Sequence, residues 1–316
     1  MPVAADTYRI LTYNTGLSRD GPGLLVRDLL KDEPDPDLLR IAELRPDVAV
    51  LQNVDFDHDQ VAVKLIQKRL RTLGHEMPHA FTARPNTGID SGFDLDRNGK
   101  LGQPRDMLGY GRFAGQGGML LLSRFPLADD VIDLSGLLWR DEEPTTLPKE
   151  NYFSEGALGV LPLHSVAAWD VGIRMPGGPL RVLMSHASTP VFDGPEDRNG
   201  LRNAAELQFW HRYIAQPHLR DMHLILAGTL NNDPIAGEGL KPPLINLLSH
   251  RGLQDPSPKR PDGQLETAQW ASGLALRVDY ILPSPHLGVR AAGIEQAPFT
   301  ERGTRHFPVW IDVAWQ

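Results

Sequence analysis

Short apolar runs, cut apart by 30 Gly and 27 Pro spread along the whole chain, constrain the fold of this sequence more than any other feature. Runs of β-branched or alternating apolar character read as strands over residues 8–13, 47–51, 119–122, 157–163, 167–175, 180–184, 223–227, 277–282 and 307–314. Apolar residues at helical spacing read as helices over 38–44, 60–73, 201–214 and 243–248, each lying between two strand candidates. No fixed period repeats and no linker divides the 316 residues, so the expectation is one domain, residues 1–316, of α/β (α+β) class with two packed sheets. Residues 85–118 and 137–155 are the long irregular stretches, and loops of that length tend to be functional or locally anchored.

Composition narrows the chemistry. Without cysteine there is no disulfide framework, zinc–thiolate site, iron–sulfur cluster or thiol nucleophile, so a metal would need Asp, Glu, Asn, His or main-chain oxygen. A net charge of -8 argues against broad capture of nucleic acid, which relies on clustered Lys and Arg to neutralise phosphates. No apolar run approaches the roughly 18 residues that a membrane helix needs, and membrane insertion is not expected. Residues 1–6 lack a basic flank followed by an apolar core, so the sequence as it stands shows no secretory signal, and the compartment stays open.

Polar residues gather at the ends of several strand candidates. Asn14 follows the first, Gln52-Asn53 the second and His186 the run at 180–184, while Gly228 to Asp233 follow 223–227 and Thr304-Arg305-His306 lead into the last. Strand ends on one rim are where sheet proteins commonly assemble a site.

The segments Arg9-Ile10-Leu11-Thr12-Tyr13-Asn14, Arg45-Pro46-Asp47-Val48-Ala49-Val50-Leu51-Gln52, Gly118-Met119-Leu120-Leu121-Leu122-Ser123-Arg124-Phe125-Pro126 and Arg277-Val278-Asp279-Tyr280-Ile281-Leu282 resemble the endonuclease/exonuclease/phosphatase superfamily. The resemblance runs over nearly the whole chain. The segment from Pro190 to Gly200 is similar to a bacterial, often exported branch, which would imply a periplasmic or extracellular setting. The resemblance implies a four-layer α/β/β/α sandwich of two mostly antiparallel sheets flanked by helices, and metal-dependent cleavage of phosphate esters. It also implies a site made of an Asn, a metal-binding Glu, a His or Tyr, an Asp-x-Asn, and an Asp-His pair whose His is held by another Asp.

Carried over position by position, Asn14, His186, Asn231, Asp279 and His306 match that pattern, as the residues that would do the chemistry. Asn53 stands in place of the metal-binding Glu, Thr229 in place of the Asp of Asp-x-Asn, and Arg305 in place of the Asp before the final His. These exchanges leave the site about four charge units more positive than the family pattern, which opposes a divalent cation. The expectation is therefore a pseudo-hydrolase without catalytic Mg²⁺ or Mn²⁺ in the family position, which binds an anionic or phosphate-bearing small molecule, or a protein partner. The alternative is an active metal-dependent phosphodiesterase, phosphatase or nuclease that holds Mg²⁺ or Mn²⁺ on relocated carboxylates, with Asp55, Asp57, Asp59 and Asp233 as the available acids.

Each retained residue has two readings. Asp279 could orient His306 as a general base, or simply satisfy a buried imidazole. Arg305, with Arg202 and Asn203 and with Arg198 nearby, could form an anion pocket in which a guanidinium replaces the cation; alternatively, Arg305 is a solvated loop residue and the others brace a helix. Asp94, Asp96 and Asn98, followed by Gly99, reproduce the first ligands of a calcium loop and admit a structural Ca²⁺. The twelfth position of that loop is Arg105 rather than Glu, so Asp106 or Asp90 would have to close the sphere; the other reading is an Asp- and Asn-rich turn.

Overall fold

The computed structural model describes residues 6–144, 146–149, 151–296 and 304–316. Most of the opening stretch read above for a leader, residues 1–5, lies outside them. In chain order the strands are β1 (Tyr8–Leu17), β2 (Val48–Val54), β3 (His79–Phe81), β4 (Gly118–Ser123), β5 (Ile132–Asp133), β6 (Ala167–Met175), β7 (Gly178–His186), β8 (Leu224–Thr229), β9 (Ala268–Gln269), β10 (Ala275–Leu276), β11 (Asp279–Pro283), β12 (Leu287–Ile294) and β13 (Val309–Trp315). The α-helices are α1 (Leu24–Leu29), α2 (Pro36–Leu44), α3 (Val61–Thr72), α4 (Glu155–Leu158), α5 (Arg198–Ile214) and α6 (Lys241–Leu248).

Two sheets carry the architecture. One has six strands in the order β12-β13-β1-β2-β4-β3 and the other five in the order β11-β8-β7-β6-β5. Pairing is antiparallel except between β1 and β2 in the first and between β7 and β8 in the second. Helices join both parallel pairs, since parallel neighbours require a crossover: α1 and α2 lie between β1 and β2, and α5 between β7 and β8.

Side-chain alternation sorts each strand between two cores. Ile10, Val48, Val50, Val182, Met184, Ile225, Ala227 and Ile281 pack in the core between the sheets. Their neighbours Leu11, Ala49 and Leu51 turn outward against α1, α2 and α3, while Leu183, Leu224 and Leu226 turn outward against α5 and α6. Strands buried on both faces lose the apolar–polar alternation, which is why they read as continuous apolar runs. The result is the expected α/β/β/α layering.

Two sequence expectations differ from the structure. Residues 157–163 do not form a strand: Ser154 caps the short helix α4 by accepting from the Ala157 amide, and Gly156 and Gly159 interrupt any extended run. β12 and α1 have no counterpart in the expectations, β12 because Gly288 and Gly293 dilute its pattern and α1 because a six-residue helix shows less than two turns of periodicity.

Candidate functional site

The inward-facing row of the central strands changes character at one end. Along β1 it runs Ile10, Thr12, Asn14, and along β2 Val48, Val50, Gln52. On the other sheet it runs Val182, Met184, His186 on β7 and Ile225, Ala227, Thr229 on β8, with Asp279 opening β11. Register aligns these polar ends, since Asn14 pairs with Gln52, and Thr229 lies between His186 and Asp279. Gly228 permits the β7–β8 approach: its φ is 147°, and a Cβ there would lie 1.8 Å from the Ser185 carbonyl oxygen.

Hydrogen bonds then join the two sheets at this rim. Asn14 Nδ2 donates to Thr229 Oγ1 at 3.1 Å, and Thr229 Oγ1 donates to Asp279 Oδ1 at 2.6 Å. The other oxygen of Asp279 lies 2.8 Å from His306 Nδ1, just before β13. Asp279 is 1% exposed, and its amide donates to Thr267 Oγ1 at 2.9 Å. The carboxylate thus holds the His306 proton on Nδ1 and leaves Nε2 as the nitrogen able to accept one. His306 and Asp279 both act electrostatically on His186, but burial dominates and pushes its pKa down to about 4. His186 is therefore neutral near pH 7, and its buried Nδ1 has no hydrogen-bond partner.

Asn53 sits at a bulge between β2 and its neighbours with φ 59°, and its Nδ2 donates to the Thr15 carbonyl at 2.7 Å. Asn231 is also left-handed, with φ 54°, and donates to the Ala187 carbonyl at 2.8 Å. Both amides are thus anchored to main chain beside the rim.

A cleft of about 620 Å³ opens against this rim and is lined by Asn53 and His186. Its far walls come from the long loops, with Arg105, Tyr110, Trp139 and Phe153, and from the start of α5, with Arg198 and Arg202. Sequence reasoning singled out Arg198 and Arg202 of this wall but missed its loop-borne side. Its aromatic residues are isolated in irregular segments, and length of the loops was the sole signal pointing to them.

The anion pocket expected from sequence is corrected in two places. Arg305 is exposed and does not line the cleft, because the Thr304 hydroxyl accepts from the His306 amide in a tight turn that leaves the residue between them outside. Asn203 spends its amide on the Ser188 and Leu230 carbonyls, and its Oδ1 accepts from Asn232, so nothing remains for an anion. Arg202 does line the cleft, yet its guanidinium donates to the carbonyls of Leu163, Leu108 and Pro162, and burial lowers its pKa to about 10.

The acids available for a relocated metal site are also engaged. Asp55 accepts from Ser18, Arg19 and Gly117. Asp57 accepts from the first amides of α3, and Asp233 accepts from the amides of Ile235, Ala236 and Arg277. Asp59 is exposed. In the loop between β3 and β4, Asp94, Asp96 and Asp106 can bring carboxylate oxygens within 4.8 Å of one another, and among the described residues this is the one such group of three acids or histidines. Asn98 lies exposed in the same loop, and its Oδ1 accepts from the Lys100 amide. Asp106, not a twelfth-position acid, would complete any cation site there. Its oxygens also accept from the amides of Leu95 and Gln103.

The sequence model of the Endonuclease/Exonuclease/phosphatase family matches residues 11–299. The chain belongs to this family. Solved structures of the endonuclease/exonuclease/phosphatase fold agree along the chain. One is an endonuclease/exonuclease/phosphatase from Beutenbergia cavernae, 20% identical with TM-score 0.61, covering 98% of this chain and 72% of the other. A family protein from Leptotrichia buccalis is 17% identical with TM-score 0.57, covering 98% and 100%. The 3′ phosphatase NExo from Neisseria, bound to product DNA hairpin, is 20% identical with TM-score 0.53, covering 98% and 100%. Comparison with curated proteins gives no match. Among the described residues, no helix of this family member is long and apolar enough to cross a membrane.

Proposed function

We propose that this protein is a pseudo-hydrolase of the endonuclease/exonuclease/phosphatase family, one unit over residues 1–316, which binds an anionic ligand in the cleft beside its rim. The chemistry of the rim's donors carries the reading. Asp279 is the one carboxylate in the inward row, and its two oxygens serve His306 and Thr229. The remaining donors, Asn14, Gln52, Asn53 and Thr229, are neutral, whereas a hard divalent cation prefers anionic oxygen. The family's metal therefore does not fit these residues, and no step is routed through it. Asp279 and His306 retain the geometry of an oriented base, but an oriented base alone leaves the charge developing on a phosphate unneutralised.

The charge of -8 supports a small anion rather than nucleic acid as the ligand, although the Neisseria relative acts on DNA. Hydrolysis of an aryl phosphomonoester and an aryl phosphodiester, with Mg²⁺, Mn²⁺ or Ca²⁺, tests the proposal. The wild type is expected to release no more product than His306→Ala. Catalysis by an Asn53→Glu/Thr229→Asp/Arg305→Asp variant would mark an intact scaffold. Wild-type turnover that His306→Ala abolishes overturns the reading and returns the search to relocated carboxylates.

A further inference from the structure

The charges on the cleft wall do not balance. Asp20 pairs with Arg112, and the buried Glu206 faces Arg202 electrostatically. Arg105 has no such counterpart, and Arg198 has only the field of Glu196. Arg198 is 8% exposed, donates through Nη1 to the Leu95 carbonyl at 2.7 Å, and keeps a buried Nε with no partner. Glu196 lies close enough to feel its charge, yet that carboxylate accepts from Tyr152 and Gly194 instead. Arg105, exposed at the cleft, makes no side-chain hydrogen bond or ion pair among the described residues. A buried guanidinium with an unpartnered N–H is costly to hold, and an oxyanion bound from the cleft would offset its charge.

Aromatic side chains form an apolar part of the wall. Trp139 and Phe153 meet edge to face at 6.1 Å, and the Trp139 indole N–H is buried without an acceptor. Tyr110 and Phe192 line the same cleft while 66% and 75% exposed. A volume of about 620 Å³ suits a ligand well beyond the size of a bare phosphate.

We infer that the cleft binds an amphipathic oxyanion, a carboxylate or phosphate head on a flat apolar body, with the head on Arg198 and Arg105 and the body against Phe153 and Tyr110. This rests on the reading of the cleft as a binding site rather than a hydrolytic one. Arg198 opens α5, whose first-turn Asn199 amide is already taken by the Asp193 carboxylate, so the head is held by the guanidinium groups rather than by the helix N-terminus.

Calorimetry on the intact chain with 1-naphthoate, 1-naphthyl phosphate, 1-naphthol and inorganic phosphate tests it. Both naphthyl anions are expected to bind at least about tenfold more tightly than naphthol or inorganic phosphate. Arg198→Gln should weaken both anions about tenfold and leave naphthol unchanged. Arg105→Gln, an exposed change that keeps the fold, should weaken them about threefold and decides the matter if Arg198→Gln does not fold. Naphthol binding as tightly as naphthoate, or naphthoate affinity indifferent to these substitutions, overturns the inference. Naphthol release from naphthyl phosphate, sensitive to His306→Ala, would instead sink the pseudo-hydrolase reading, because naphthoate cannot be hydrolysed and its dependence on Arg198 is measured separately.

Discussion

A threonine hydroxyl can donate one hydrogen bond while accepting another, and Thr229 uses both abilities: it gives its proton to Asp279 and receives one from Asn14. A carboxylate in its place would face Asp279 across a cross-strand pair with no proton to share. Thr229→Asp is therefore expected to cost about 2–4 kcal/mol in metal-free buffer. Urea unfolding measures the loss, and Mn²⁺ should recover part of it only when Asn53→Glu is also present. No loss would mean that the hydroxyl is not holding Asp279. At this scale the sequence was informative about which positions lie on the rim, because Asn14, His186, Thr229 and His306 sit at the ends of strand candidates and the family resemblance added Asp279. Their bonding was not legible: a lone Asn or Thr has the same letter whether its partner is water or a residue 215 positions away.

α5 presents a buried polar stripe, Arg198, Arg202 and Glu206, spaced one turn apart and facing the cleft wall rather than solvent. Glu206 is the pin. One oxygen accepts from the Ser165 amide and hydroxyl and the other from the Ser188 amide, and burial raises its pKa. Glu206→Gln must turn an amide N–H₂ toward one of those donors, which should cost about 2–4 kcal/mol and loosen the loops on both sides. Hydrogen exchange at Ser165 and Ser188 would report it, with unchanged protection counting against the pin. Periodicity revealed the helix itself, since its apolar face includes Ala205, Leu207, Trp210 and Ile214. It concealed the stripe, because charged residues at helical spacing look solvent-facing until the carbonyls that cage them are known. The misread strand at 157–163 has a related cause: a short apolar run does not disclose whether a capping serine will curl it.

At the scale of the whole molecule, burial pushes the pKa of His164 and His186 far below the ordinary imidazole value. His164, 1% exposed and packed on Phe209 at 4.8 Å, has its pKa pushed down to about 3 by burial, and His186 is held at about 4. Near pH 6.5 the unfolded chain begins to bind protons that the folded one refuses, so stability is full above that pH and falls as the solution is acidified toward 4. His164 alone should account for about 2 kcal/mol between pH 6.5 and 4.5. Denaturant melts across this range in wild type and His164→Phe would show the slope flatten in the variant, and parallel curves would contradict the assignment. Two packed sheets were readable in the alternation of strands and helices, and the four layers followed from the family resemblance. The cleft was not readable, because its walls belong to loops whose path is set by tertiary contacts.

The bond from Asn14 to Thr229 crosses from one sheet to the other, and the bond from Asp279 reaches His306 in the turn that leads into β13 of the first sheet. They work as a clasp at the mouth of a folded book whose pages are the two sheets. Covers that open from that side must undo the clasp first, so tightening it stiffens the entire sandwich and cutting it lets the halves part from the rim inward. The clasp thereby governs the resistance of the molecule to coming apart, while the cleft beside it is shaped on that side by Asn53 and His186.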